Sequence, residues 1–253
     1  MEDDYGMSYY YRGTALNNYF RFGRNAAGED MWWRIIRFNG NGTIRIIYDG
    51  TGLAGSNTYS PNYALQERWY KDGDYSFDVK YIGWMYGGQL GEVSTSKEEA
   101  QKNETDSWIK TKVDEWYKTN IVDTGYGSFV GDAIFCNDRS TPGKVATGLN
   151  NDTGLGYGNK TTGYGAYARL GIGSTTSPNY KNPKPQFTCP QENDRFTVEE
   201  TSGGNGALTY PVGLITMDEA ITGGVGYVSD TLKHYLKKVG AYWTMSPYYS
   251  FTM

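Results

Sequence analysis

The chain has 253 residues, of which 38% are hydrophobic and 21% are charged, and its 24 basic and 28 acidic residues give a formal net charge of −4. This composition excludes a disordered polyampholyte, and no run approaches the roughly 20 apolar residues of a membrane span. Because Lys and Arg do not cluster, we expect no nucleic-acid partner and no membrane insertion. The amino terminus, MEDDYGMSYYYRG, lacks the basic and apolar regions of a signal peptide, which leaves a cytoplasmic protein or a piece of a secreted one. Since no linker interrupts the chain, we expect a single domain over residues 1–253.

Glycine and tyrosine dominate the rest of the composition, with 34 Gly and 24 Tyr. This mixture, together with Asn, Ser and Thr, is typical of surfaces that bind through rigid rings and adaptable polar groups. It is also compatible with Tyr side chains that pack between the strands of a Gly-rich β domain. The composition therefore favours an interaction protein and leaves a packing role open for each individual ring.

The clearest local pattern predicts a β-hairpin. Two β-branched and aromatic runs, MWWRIIRF (31–38) and TIRIIYD (43–49), are joined by turn-forming residues. Their apolar side chains alternate between two faces, with Trp33 and Ile35 on one and Ile36 and Phe38 on the other. We therefore expect a central hairpin covered on both sides. Its arginines, Arg34, Arg37 and Arg45, are expected at the edges or paired with acids.

Three helices are predicted after the hairpin. Residues 103–120 carry an apolar stripe typical of an amphipathic helix, which Thr105, Asp106 or Ser107 can cap. The stripe contains Trp108, Ile109, Val113, Trp116 and Tyr117, whereas Lys110, Lys112, Asp114 and Lys118 lie off it. Thr216 and Glu219 form a capping box that starts a second, shorter helix. The segment SDTLKHYLKKVG (229–240) predicts the third.

Short strands are predicted between long loops. YIGWMYGG (81–88) indicates a buried strand or a packed turn, and GDAIFCND (131–138) a strand that ends at Cys136. YGAYARLGIG (164–173) indicates one more short strand. The remaining segments, 50–80 and 140–186, are rich in turn-forming residues and predict a face dominated by loops.

Few residues are available for catalysis, since the chain has one His and two Cys. A Ser-His-Asp or Cys-His arrangement would have to use His234, which has no nucleophile motif around it, so we expect a surface histidine. Cys136 and Cys189 suggest a disulfide that closes a loop of about 50 residues, although two free thiols or one reactive thiol remain alternatives. The Asp-Arg pairs that follow both cysteines are expected to organise loops.

One acidic run resembles a calcium loop without completing it. The spacing of oxygen ligands is met by Asp72, Asp74, Ser76 and Asp78. However, Phe77 stands where such a loop requires Gly, and Gly83 stands where it requires a bidentate Glu. The GLGYG at 154–158 has neither the strand nor the helix of a phosphate cradle. We therefore expect no metal and no cofactor. A pair of carboxylates suited to glycosidase chemistry is not visible in a sequence, and nothing favours any pair.

Eight motifs taken in order resemble a known family. They are WWRIIRFNGNGTIRIIYDGT, YIGWMYGG, DSWIKTKVDEWYKTN, IFCNDRS, YGAYARL, FTCPQENDRFTV, GNGALTYPVGLITMDEA and AYWTMSP. Together they resemble domains of large surface proteins of gut Firmicutes and related Gram-positive bacteria. The resemblance implies an α+β, C-type-lectin-like fold with a central β-hairpin, one or two main helices and long Gly/Tyr/Asn-rich loops.

Two departures from that family matter. Its members continue through further strands after the YWTMSP motif, so the final sheet of this chain is expected to be incomplete or supplied otherwise. The segment 53–80 is longer and more aromatic than the family pattern and is the candidate for individual specificity. The EPN or QPD motifs of calcium-dependent lectins and the paired catalytic cysteines of formylglycine-generating enzymes have no counterpart, which implies binding rather than catalysis.

The resulting expectation is a non-enzymatic, extracellular recognition domain on a bacterial cell surface. Its expected partner is a host protein, with host immunoglobulin as the first candidate because some relatives of this general kind bind it. Tyr63, Trp69, Tyr70 and Tyr75 are the predicted partner-binding rings. A glycan-binding adhesin module is the alternative function, and a hydrolase on the same scaffold is the second alternative.

Overall fold

The computed structural model describes residues 1–52, 83–92, 94–140, 165–170, 183–224, 234–236 and 243–247. Within these ranges the chain is of the α+β class, with short helices packed against several small antiparallel sheets. The predicted fold class is confirmed at this level, whereas the C-type-lectin-like arrangement stays a prediction. The predicted extent of the domain, residues 1–253, also stays a prediction.

The described elements are short, apart from one hairpin and one helix. The strands are β1 (Glu2–Asp3), β2 (Gly6–Met7), β3 (Tyr9–Tyr10), β4 (Tyr19–Arg24), β5 (Asp30–Phe38), β6 (Ile44–Gly50), β7 (Met85–Tyr86), β8 (Thr105–Asp106), β9 (Phe135–Cys136) and β10 (Arg195–Phe196). The helices are α1 (Lys97–Ala100), α2 (Trp108–Tyr117), α3 (Gly165–Leu170) and α4 (Met217–Gly223). Single turns of π-helix and 3-10 helix follow α2 at Lys118–Val122 and Gly127–Phe129.

The largest sheet has four strands and is built on the predicted hairpin. β5 pairs along one edge with β6 and along the other with β3 and β4, always antiparallel. The turn between β5 and β6 closes through the Asn39 N–H, which donates to the Thr43 carbonyl at 2.8 Å, and Gly42 supplies the positive φ of 84°. The hairpin prediction is therefore confirmed, and β5 is the central strand.

A bulge in β5 changes which side chains share a face. Ile35 lies opposite Ile46 and Arg37 lies opposite Arg45, so Ile36 is the extra residue. Beyond the bulge, Phe38 lies opposite Ile44 and falls on the same face as Trp33. The predicted grouping of Phe38 with Ile36 was wrong because strict alternation cannot anticipate a bulge.

The two faces of the sheet differ in chemistry. One, which we call the aromatic face, carries Phe20, Trp33 and Tyr48 in a row across β4, β5 and β6. The opposite, charged face buries the three arginines of the hairpin. Of the two expectations for these arginines, edge positions or pairing with acids, the second is confirmed. Arg34 pairs with Asp49, Arg37 with Asp3 and Glu219, and Arg45 with Glu219.

The predicted amphipathic helix is confirmed over its apolar stripe but is shorter than the predicted range 103–120. α2 begins at Trp108, where the Ser107 side chain accepts the Lys110 N–H at 3.1 Å and acts as the N-cap. Thr105 and Asp106 instead form β8, which pairs with β7. Lys110 is fully buried although the pattern placed it off the stripe, because its ammonium reaches Asp106 and Asp114 at 3.0 and 2.7 Å.

Of the remaining predicted elements, one is confirmed, one was wrong and one lies mostly outside the described residues. The capping box of α4 is confirmed, since Thr216 accepts the Glu219 N–H and Glu219 accepts the Thr216 N–H. The strand predicted within 164–173 was wrong, because residues 165–170 form α3. Arg169 of this helix forms ion pairs with Asp138 and Asp218. Most of the helix predicted at 229–240 lies outside the described residues.

Cys136 and Cys189 form the predicted disulfide, with Cα atoms 5.5 Å apart. The alternatives of free or reactive thiols are therefore excluded for these two residues. Beside the disulfide, β9 pairs with β10 and places Cys136 opposite Arg195. A covalent bond thus joins β9 to the segment that precedes β10.

Candidate binding site

The predicted site residues fall mostly outside what the structure describes. Tyr63, Trp69, Tyr70 and Tyr75 lie outside the described residues, and so does the aspartate run at 72–78. His234 is half-buried, which corrects its predicted surface position. Within the described ranges no group of His, Cys, Asp or Glu is arranged to hold a metal ion.

A cavity of about 590 Å³ lies between the aromatic face, α2 and the segment 211–215. We call it the aromatic cleft. Its volume falls in the range of roughly 300–1,000 Å³ that is usual for ligand sites. The rings that line it are Phe20, Phe22, Trp33, Tyr48, Trp116, Tyr117, Phe129, Phe135 and Trp243.

The rings of the cleft are held by one another. The ring centroids of Tyr48 and Trp116 are 4.9 Å apart, and those of Trp33 and Tyr48 are 5.3 Å apart in an edge-to-face arrangement. The Trp33 indole N–H donates to the Phe22 carbonyl at 2.8 Å. Trp116 thus packs onto the sheet, as its position on the stripe of α2 predicts. Because these rings are fixed in the folded chain, a ligand that binds them does not have to order them.

One ring stands at the mouth of the cleft. Phe129 lines the cavity and is 74% exposed, and its ring packs edge-on against Phe22 with the centroids 6.5 Å apart. It sits at the end of the 3-10 turn Gly127–Phe129, so the turn presents it to solvent. The cleft therefore has an accessible aromatic rim.

Three lining residues carry buried polar atoms with no hydrogen-bond partner among the described residues: Asn39 Oδ1, Arg45 Nη2 and Tyr117 Oη. Burial raises the pKa of Tyr117 to about 12, so at neutral pH its phenol is protonated and can donate a hydrogen bond. An unpaired buried polar atom costs free energy that a ligand with matching groups recovers. These three atoms are enclosed by the protein, so the side chains that the cleft offers to a ligand are chiefly apolar.

An exposed apolar row continues from the cleft. Tyr9, Phe38 and Ile44 lie opposite one another on β3, β5 and β6, and they are 70%, 36% and 48% exposed. Ile44 also lines the cleft, so this apolar row and the cleft form one surface. Adjacent apolar side chains that face solvent in a row are a common mark of an interaction site.

An ionic cluster on the charged face is the second candidate. Glu219 Oε1 lies 2.9 Å from Arg45 Nε and 3.3 Å from Arg37 Nε. Nearby, Arg169 bridges Asp138 and Asp218 at 2.7 and 2.8 Å. The two groups line a cavity of about 20 Å³, which has room for about one water molecule.

The electrostatics of this ionic cluster are those of a structural network. Burial alone would raise the pKa of Glu219, but Arg45 and Arg37 hold it below its ordinary value. Burial raises the pKa of Asp218 in spite of the opposing Arg169. Each carboxylate faces a guanidinium, and the enclosed space is too small for a substrate. Shifted pKa values also occur in ion-pair networks, so the cluster by itself does not indicate catalysis.

The sequence contained part of this site. The hairpin and the α2 stripe supplied Trp33, Tyr48 and Trp116, but the aromatic strand β4 was not predicted. The alternation in YFRF (19–22) was the signal that indicates it, since Phe20 and Phe22 fall on one face. The exposure of Phe38 follows from the bulge, which no local pattern indicates.

Comparisons with known proteins found no family model, no curated protein and no solved structure that matches the chain. In the part of the chain that the structure describes, no helix has the length and apolar character needed to cross a membrane.

Proposed function

We propose that the chain is a non-enzymatic, extracellular recognition module that holds a host macromolecule against aromatic side chains. The observation that carries the proposal is the surface formed by the apolar row and the aromatic cleft. Aromatic and aliphatic anchors that are already fixed before binding lose little conformational entropy on contact. Such a surface grips a partner without needing a reactive group.

Two further observations support the placement outside the cell. A disulfide persists in oxidising compartments, and this chain has one between Cys136 and Cys189. The resemblance to surface-protein domains of gut Firmicutes supports a place on a bacterial cell surface and names host immunoglobulin as the first partner to test.

A hydrolase has weaker support. Hydrolysis by acid and base needs a carboxylate that can take or give a proton beside a space that holds the substrate. In the described part of the chain, the carboxylates of the ionic cluster face Arg37, Arg45 and Arg169 around a cavity of about 20 Å³. The aromatic surface therefore carries the proposal.

The test removes two rings of the row that do not line the cleft. The variant Tyr9→Ser/Phe38→Ser is expected to weaken binding to polyclonal immunoglobulin by about thirtyfold or more, since the loss of even one aromatic anchor costs about 2 kcal/mol. Surface plasmon resonance with immobilised immunoglobulin measures the change. Because Phe38 is only 36% exposed and its ring centroid lies 6.4 Å from that of Tyr11, the thermal midpoint of the variant is measured as well, and binding is compared at a temperature where the variant is folded.

The matched control is Leu16→Ser, which removes another exposed apolar side chain outside the row and should leave the affinity unchanged. A parallel series with Tyr63, Trp69, Tyr70 and Tyr75 changed to Ala tests the rings predicted from the sequence. Binding to a glycan array without binding to immunoglobulin would assign the surface to a glycan. If neither the row variant nor the four-ring variant loses affinity, the proposal is wrong.

A further inference from the structure

The aromatic cleft runs along the outer edge of β6. Residues 44–48, five in succession, all line the cavity. Successive side chains of a strand point to opposite faces, so a cavity that touches all of them must follow the strand's edge. At about 3.3 Å per residue, this edge is roughly 16 Å long.

The backbone groups on this edge point away from the sheet. Ile35 lies opposite Ile46, and the Ile35 N–H donates to the Asn18 carbonyl at 2.7 Å, on the side of β5 away from β6. In an antiparallel ladder, the residue opposite such a group turns its own N–H and C=O outward. Ile46 therefore presents an outward N–H and C=O, and Tyr48 does the same two residues later. Within the described ranges, no backbone group outside β5 pairs with either residue.

The opposite wall of the cleft contains no strand along residues 211–215. It is formed by residues 211–215, of which 212–215 have no regular secondary structure, and by Phe135. Rings of the aromatic face line one side of the edge, and Ile47 lies on the other. An extended chain placed here would meet apolar side chains on both of its faces.

Arg45 is buried beneath this edge. Its side chain is only 6% exposed, Nε faces Glu219, and Nη1 donates to the Ile134 carbonyl at 3.0 Å. Its Nη2 is enclosed by the protein and has no hydrogen-bond partner among the described residues. The polar groups that this edge offers to a ligand are therefore those of the β6 backbone.

We propose that the aromatic cleft binds an extended, hydrophobic peptide strand of the partner protein, which adds to the outer edge of β6. This inference rests on the proposed recognition function and names the chemistry of the partner. A lipid or another apolar small molecule leaves the edge amides unpaired. An extended peptide supplies backbone donors and acceptors at the spacing of β6 and apolar side chains beside them.

The test uses a heptapeptide of alternating Thr and Val or Phe residues, blocked at both ends, with the whole chain in isothermal titration calorimetry. Two analogues carry N-methyl groups on alternate amides, one on the odd positions and one on the even positions. A strand turns one of these sets toward β6 and the other away from it. One analogue should therefore bind about thirtyfold more weakly through the loss of two hydrogen bonds, and the other should bind within about threefold of the parent.

A protein variant tests the same edge independently of the peptide chemistry. Ile46→Pro removes the outward N–H but no bond of the β5–β6 ladder, a place where strands accept proline. It should bind the parent peptide about tenfold more weakly or worse, whereas Ile46→Val, which keeps the backbone, should bind as the native chain does. If Ile46→Pro fails to fold, the two methylated analogues still decide the matter on the native chain.

The outcomes separate this inference from the proposed function. Equal binding of both methylated analogues, or failure of all peptides to bind at millimolar concentration, overturns the added strand. If the Tyr9→Ser/Phe38→Ser variant nevertheless loses its macromolecular partner, the recognition function stands without it. If neither the row variant nor the four-ring variant loses affinity and the peptides also fail to bind, both are wrong.

Discussion

Replacing Arg139 with alanine is expected to lower the free energy of unfolding by about 3 to 5 kcal/mol, the usual cost of removing one partner of a buried ion pair. Arg139 and Asp194 side chains are both 1% exposed, and Arg139 Nε lies 2.6 Å from Asp194 Oδ1. The variant leaves a carboxylate in the interior with no cation to offset it. We expect this to be the largest effect of any single substitution in the described chain.

The cost also arises from the carbonyls that Arg139 holds together. Its guanidinium donates to the carbonyls of Met85, Ala100 and Lys102 at 3.1 to 3.3 Å. These carbonyls belong to two segments, β7 and the stretch from the end of α1 to Lys102, so one side chain joins both of them. Lysine has a single compact ammonium and cannot reproduce this fork, so Arg139→Lys should recover only part of the loss.

The pH dependence distinguishes the buried charge from lost packing. Burial raises the pKa of Asp194 above its ordinary 3.8 in spite of Arg139, and removal of the arginine raises it further. A carboxyl whose folded pKa is raised costs stability above that pKa, and the cost disappears as the pH falls toward the unfolded value. The deficit of Arg139→Ala should therefore shrink between neutral pH and pH 4 in urea unfolding experiments. Arg139→Ala/Asp194→Asn should show no such change, and a deficit that is constant with pH would assign the effect to packing alone.

Loss of the disulfide is the second large effect. The bond joins residues 53 apart in sequence, for which loop-closure entropy predicts a loss of about 4 kcal/mol when both cysteines become alanine. Cys189 is buried and Cys136 is half-buried, so the paired alanines also leave a small gap. The change should fall chiefly on the unfolded state, which becomes less constrained.

Guanidinium unfolding of native, reduced and Cys136→Ala/Cys189→Ala chains measures this effect. The reduced chain and the double variant should both unfold at a lower midpoint, and mass spectrometry before and after reduction reports whether the native chain contained the bond. Two free thiols in folded, oxidised material, or an unchanged midpoint after reduction, would contradict this prediction and weaken the extracellular placement.

Local patterns predicted the hairpin, the cap of α4 and the disulfide because each depends on neighbouring residues or on a pair of unique side chains. Of the three predicted caps of α2, Ser107 is confirmed, whereas Thr105 and Asp106 were wrong because they pair with β7. The buried position of Lys110 depends on acids one turn away on either side, and a helical wheel counts all three as polar.

The candidate site was less accessible to prediction than the fold. A bulge at Ile36 aligns Phe38 with Tyr9 and Ile44, and it leaves no mark in a single sequence. The aromatic cleft depends on the distance between β6 and residues 211–215, which is a tertiary quantity. Composition indicated that rings are used for contact, but it did not show which rings reach the surface.

Hydrogen–deuterium exchange of the native chain, free and bound to the macromolecule that it captures in the immunoglobulin and glycan screens, tests the central claim most directly. We predict that binding slows exchange in the peptides that contain Tyr9–Tyr10 and residues 38–48, which carry the apolar row and the edge of β6. The opposite result would be protection only in peptides around Asp138, Arg169 and Asp218, with exchange unchanged at Tyr9–Tyr10 and residues 38–48. That result would show that the partner is held elsewhere and would contradict the account.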